Sequence, residues 1–105
     1  MKLLTKEIER KLPKLGATEG VDLFEKEVVC KFFNPMGQGT WYVVEGEEDD
    51  GDWRFFGLVD LFVREWGYFT LNELESVDVG FGLGIERDIH WQPKPMNVHA
   101  ALQHE

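Results

Sequence analysis

The chain has 105 residues, a net charge of −9 and a hydrophobic fraction of 43%. That is room for one domain and not two, with enough apolar surface for a single core, and it argues against disorder. The lone cysteine, Cys30, excludes an intramolecular disulfide and fits a reducing cytoplasm, and no stretch approaches the roughly 20 apolar residues that span a bilayer.

The first residues, MKLLTKEIERKL, place charge inside every short apolar run and do not read as a signal peptide. Leu4, Ile8 and Leu12 recur at helical spacing, and Lys2, Lys6, Arg10 and Lys14 form a basic stripe on another face. The expected amphipathic helix has about three turns and stops near Leu12, because Pro13 cannot continue it. Residues 17–26 read as a polar loop with room for a helical turn. VVCKFF (28–33) and TWYVV (40–44) form a hairpin across Asn34-Pro35. EGEEDDGD (45–52) reads as a charged turn, WRFFGLVDLFV (53–63) as a third strand with a bulge or twist at Gly57, and GYFT (67–70) as a short fourth. Thr70 and Glu73 fit a capping box that opens a short helix, Leu71 to Val77. After a glycine-rich loop, IERDIHW (85–91) is the last strand, ended by Pro93 and Pro95 and followed by a frayed tail. The expected fold is α+β: a curved antiparallel sheet of four to five strands, an N-terminal amphipathic helix and a second short helix before the last strand.

Residues 1–14 hold five basic and two acidic side chains, and the remaining chain six basic and eighteen acidic. A body that acidic repels phosphate, which argues against direct nucleic-acid binding. The acidic turn fails the EF-hand spacing. With Gly51 at the sixth position, Gly46 and Gly57 would fall at the first and twelfth, where ligands are required. Gly80, Gly82 and Gly84 lack the third glycine of a dinucleotide fingerprint and precede a strand, so nucleotide binding is discarded.

Alternation along the last strand groups Glu86, Asp88 and His90 as the weak candidates for a metal site. Same-face neighbours on one strand stand roughly 7 Å apart, however, so three in a row converge poorly on an ion. Alternation also puts Arg87 on the apolar face, where it needs a carboxylate. Asp60 is the expected partner, with Glu45 the alternative. Cys30 reads as a small core hydrophobe, and Ser76, the only serine, has no histidine placed to serve it. No catalytic residue and no cofactor is expected. Surplus aromatics, Trp41 and Trp66 among them, together with the basic stripe through Lys6 and Arg10, point to a protein partner.

The strings KFFNPMGQGTWYVVEG, FFGLVDLF, EWGYFTLNELESV and GLGIERDIHWQPKP resemble an uncharacterised family of small bacterial single-domain proteins from plasmids, conjugative elements and phages. The resemblance covers nearly the whole chain. It implies an accessory protein of a mobile element, and some members resemble modules appended to antirestriction or primase-like proteins. It supplies no catalytic residues. The chain departs from that pattern at Gly16 and His90, where aromatic residues are expected, which weighs against catalysis by His90. A cytoplasmic, non-enzymatic interaction module leads. An acidic decoy that imitates DNA charge comes second and a metal-dependent hydrolase third.

Overall fold

The computed structural model describes residues 1–91 and 95–104. Helix α1 (Lys6–Lys11) and a 3₁₀ turn (Leu23–Glu25) precede four strands: β1 (Cys30–Phe33), β2 (Thr40–Asp49), β3 (Asp52–Asp60) and β4 (Arg64–Thr70). Helix α2 (Leu71–Glu75), strand β5 (Glu86–Arg87) and helix α3 (Val98–Gln103) complete the chain. The sheet is antiparallel throughout, in the order β4-β3-β2-β1-β5. The first four strands form a meander, and β5 returns to the far side of β1.

Side chains alternate across this sheet, so each face has its own core. Cys30, Phe32, Trp41, Val43, Phe55 and Phe69 pack on the first face beneath Leu4 and Leu12, which flank α1, and Leu74 of α2. Tyr42, Val44 and Leu58 pack on the second face against Val28 and against Val98 and Ala101 of α3. The α+β class holds, as three short helices around a five-stranded sheet.

A β-bulge shapes the middle of the sheet. Val43 pairs with Gly57 and Glu45 with Phe56, so Val44 is an extra residue in β2. Gly57 permits this, because a Cβ there would lie 1.9 Å from the Tyr42 carbonyl oxygen. The bulge resets the alternation: Val43 faces the first core, while Val44 and then Glu45 both turn to the second face. The stretch expected as a charged turn is largely strand. Glu47, Glu48 and Asp49 pair with Arg54, Trp53 and Asp52, and only Asp50 and Gly51 turn the chain. Both have positive φ, 53° and 84°, which suits a two-residue Asp-Gly hairpin turn.

Other expectations are corrected by local packing. Helix α1 starts later than the apolar spacing suggests, because Thr5 caps it by accepting from the Ile8 N–H at 3.2 Å. The last strand is two residues long, since β1 offers β5 only Phe32 and Phe33. The described part of the tail forms a helix in place of the expected frayed end. Asn97 caps α3 through the Ala100 N–H at 2.8 Å, and Val28 and Val98 bond across to Met96 and Lys26. The stop expected at Pro93 lies outside the described residues; Pro95 lies within them. Among the described residues no helix is long and apolar enough to cross a membrane.

Candidate interaction cleft

The bulge aims Glu45 into an open cleft of about 540 Å³ on the second face. One wall is the loop from Gly16 to Leu23; the other is Phe56 of β3 with Tyr68 of β4. At the base, Glu45 and Lys26 are 4% and 5% exposed, with Lys26 Nζ 4.0 Å from Glu45 Oε2. The Gly16 N–H donates to Glu45 Oε1 at 2.8 Å, and the Thr18 N–H and hydroxyl both donate to Oε2, the former at 2.9 Å. Lys26 in turn donates to the Thr18 carbonyl and, at 2.8 Å, to its hydroxyl oxygen. Burial alone would raise the Glu45 carboxyl. The hydrogen bonds from Thr18 and Gly16, with the Lys26 charge, outweigh it and hold the carboxyl below its ordinary value.

Chemically, this base is an anchor rather than a reactive group. Glu45 is ionised and its oxygens are saturated with donors, so it is poorly suited to accept a substrate proton. Neighbouring bonds tie the same loop to β2: Leu15 N–H to Glu47 Oε1 at 2.9 Å, and Gly46 N–H to the Pro13 carbonyl at 2.9 Å. The loop is thereby held rigidly over an aromatic cluster. Phe24 meets Trp66 edge-on at 5.6 Å, Trp66 stacks on Phe56 at 5.6 Å, and Phe56 meets Tyr68 at 5.0 Å. Tyr68 is 61% exposed, and Val21, Leu23 and Phe24 are also exposed around it. The Trp66 indole N–H is buried without a partner among the described residues. Two exposed carboxylates, Glu19 and Asp22, stand on the loop wall. The cleft thus has a buried ion pair at its base, an aromatic wall and an acidic rim.

The expected Arg87–Asp60 pair does not form. β5 and β3 are separated by β1 and β2, and the registers put the two residues on opposite faces. Asp60 binds Arg64 at 3.2 Å, while Arg87 donates through Nη1 to the carbonyls of Lys2 and Leu3, the latter at 3.2 Å. That strap fastens the N-terminal segment to β5. Glu45, the alternative partner, faces Lys26 because of the bulge. Glu86, Asp88 and His90 do not form a row, since the chain turns after Arg87. The Asp88 carboxylate accepts from the His90 backbone N–H at 2.9 Å. Among the described residues no three histidine, cysteine, aspartate or glutamate side chains are placed to share an ion.

Trp41 is buried in the first core, and Trp66 is half-buried in the aromatic cluster on the other face. Lys6 and Arg10 are exposed on α1, over the first face, with Lys6 3.5 Å from Glu9. These four interaction candidates are not brought together. Cys30 lies in the first core, where burial pushes its thiol up to about 12 against the pull of Arg87. Sequence reasoning missed Thr18, Lys26 and Phe24, which lie in a stretch without periodicity. Their one signal is an apolar pair, Leu23-Phe24, inside an otherwise polar loop.

Searches of the curated proteins and of the solved structures found no match to the chain. A family model described as Protein of unknown function (DUF2958) matches residues 3–105, a span that holds the whole sheet and the residues lining the cleft. The chain belongs to that family.

Proposed function

We propose that this chain is a protein-interaction module that engages its partner through the cleft on the second face. The observation that carries this reading is the cluster of Phe24, Phe56, Trp66 and Tyr68, part-exposed beside a loop fastened by a buried ion pair. Aromatic groups held rigid beside water form the energetic centres of protein interfaces, since they bury much area with little entropy loss. Glu45, its oxygens saturated with donors, serves as an anchor at the base of the cleft, which suits a binding surface.

Co-purification of the tagged chain from a bacterial lysate tests it, beside a variant carrying Asp22→Lys and Phe24→Ser. Both positions are exposed, so the variant retains the fold. A stoichiometric partner held by the natural chain and lost from the variant is the expected result. A partner held equally by both, or no partner at all, overturns the reading. The acidic β2–β3 hairpin, with Glu48, Asp49 and Asp50 exposed at its tip, favours the decoy as a second reading. Displacement of the partner by DNA at constant ionic strength would support the decoy.

A further inference from the structure

We propose that β4 accepts an extended segment of the partner, bearing lysine or arginine, as a sixth strand whose alternate side chains enter the cleft; this rests on the interaction reading above. Strand β4 is the outer strand on its side of the sheet, seven residues long and free of proline. Such an edge presents a row of unpaired backbone donors and acceptors, a template for another strand.

Which groups are free follows from the turns. The two-residue Asp50–Gly51 turn makes Asp49 and Asp52 the closing hydrogen-bonded pair of the β2–β3 hairpin. Alternation then points the backbone of Arg54 and Phe56 toward β2, and that of Phe55 and Gly57 toward β4. Their partners Phe69 and Gly67 bond inward, so the N–H and carbonyl of Trp66 and Tyr68 point outward. Thr70 has the same parity, and its N–H is indeed turned away from β3 to donate to Glu73 Oε1 at 2.9 Å. Trp66 and Tyr68, two of the residues with outward backbone groups, also carry rings of the aromatic cluster, and Tyr68 lines the cleft. A segment bonded to Trp66 and Tyr68 therefore delivers side chains directly to the aromatic cluster.

Charge selects the occupant. Glu19 and Asp22 line the opposite wall, and the chain carries −9 overall, so a basic segment is attracted and a second copy of this chain is repelled. A lysine or arginine stem can lie along Phe56 and Tyr68 with its charge directed to the rim carboxylates. Phe62, 96% exposed in the loop that leads into β4, offers an apolar contact at the end of the added strand.

The test uses the full, isotopically labelled chain and three synthetic peptides: acetyl-(Lys-Val)₃-amide, its (Glu-Val)₃ counterpart, and the lysine peptide with alternate amides N-methylated. Saturable shifts of the Trp66 and Tyr68 amides with the lysine peptide alone are expected. N-methylation on the bonded edge removes the N–H groups that would reach the Trp66 and Tyr68 carbonyls and should weaken binding at least tenfold, since each hydrogen bond contributes about 1 kcal/mol. Tyr68→Pro removes an outward N–H without touching the β3 ladder, whereas Tyr68→Ala removes the ring and keeps the N–H. Weaker binding by Tyr68→Pro than by Tyr68→Ala, at equal hydrogen-exchange protection of β3, supports strand addition. Equal binding by the two, shifts confined to the acidic hairpin, or no shift at millimolar peptide overturns it. So does a peptide-free dimer that protects the Trp66 and Tyr68 amides. If Asp22→Lys with Phe24→Ser releases the partner while Tyr68→Pro and Tyr68→Ala behave alike, the cleft reading stands and strand addition falls.

Discussion

Two residues set the middle of the second face, and each makes a sharp prediction. Glu45 is the counter-ion of the buried Lys26 and the acceptor for the Gly16 and Thr18 amides. Glu45→Gln keeps the shape but strands a buried ammonium, so it should destabilise the fold by about 3 kcal/mol in urea unfolding at neutral pH. The folded-state carboxyl titrates below its ordinary value. Its contribution is therefore complete above the unfolded pKa of about 4.3 and lost as pH falls through the lower folded value. The natural chain should lose stability over that acid window more steeply than Glu45→Gln; parallel curves would remove the ion pair from the account. Gly57 and Gly67 offer a matched comparison, because they face one another across β3 and β4. Gly57→Ala meets the Tyr42 carbonyl oxygen at 1.9 Å and should cost about 3 kcal/mol, while Gly67 has nothing within 4 Å and Gly67→Ala should be near neutral. Equal costs at the two sites would contradict the close approach at the bulge.

At the scale of elements, what was legible is what short-range chemistry dictates. The Thr70–Glu73 capping box was readable because both halves lie within four residues, and both its hydrogen bonds are formed. Thr70→Ala should cost about 1 kcal/mol in thermal or urea unfolding. The Asn34-Pro35 turn and the apolar runs of β1 and β2 were readable for the same reason. The far half of β2 was not, since Glu47, Glu48 and Asp49 look like a solvated loop until Arg54 and Trp53 supply the opposing strand. Nor was Glu45 in the cleft, because a bulge moves a residue between faces without changing the composition. Helix α3 is the clearest case of tertiary control. VHAALQ is too short to be stable alone, and it is held by Val98 and Ala101 against Tyr42, Val28 and Val44. Ala101→Asp, which places an uncompensated charge in that layer, should lower the melting temperature far more than Ala100→Asp, one residue away and half-buried. Equal effects would return the tail to the frayed state expected from its prolines and polar ends.

Across the whole molecule, the two cores share one sheet, and the chain ends strap its two faces. Met1 to Leu3 lie against Arg87 on the first side, and Met96 to Val98 bond to Lys26 and Val28 on the second. A molecule joined in this way should open as a unit, and Cys30 is placed to report it. Its side chain is enclosed in the first core, and burial pushes the thiol up to about 12, so a disulfide reagent meets almost no thiolate while the fold is closed. Labelling must await opening, and its rate should follow global stability when closing outpaces reaction. Glu45 acts on the second face, away from the thiol, while Gly57 lies at the bulge opposite Val43, the residue that pairs with Cys30. If opening is concerted, Glu45→Gln and Gly57→Ala should still each speed labelling of Cys30 by about a hundredfold, the rate equivalent of their unfolding cost. If β1 and β5 instead peel from the sheet, labelling should ignore both variants and respond only to Arg87→Met, which cuts the strap beside the cysteine. Rates measured on the four proteins at one pH separate these cases, and an unchanged rate in Glu45→Gln and Gly57→Ala would show that the two faces are stabilised independently.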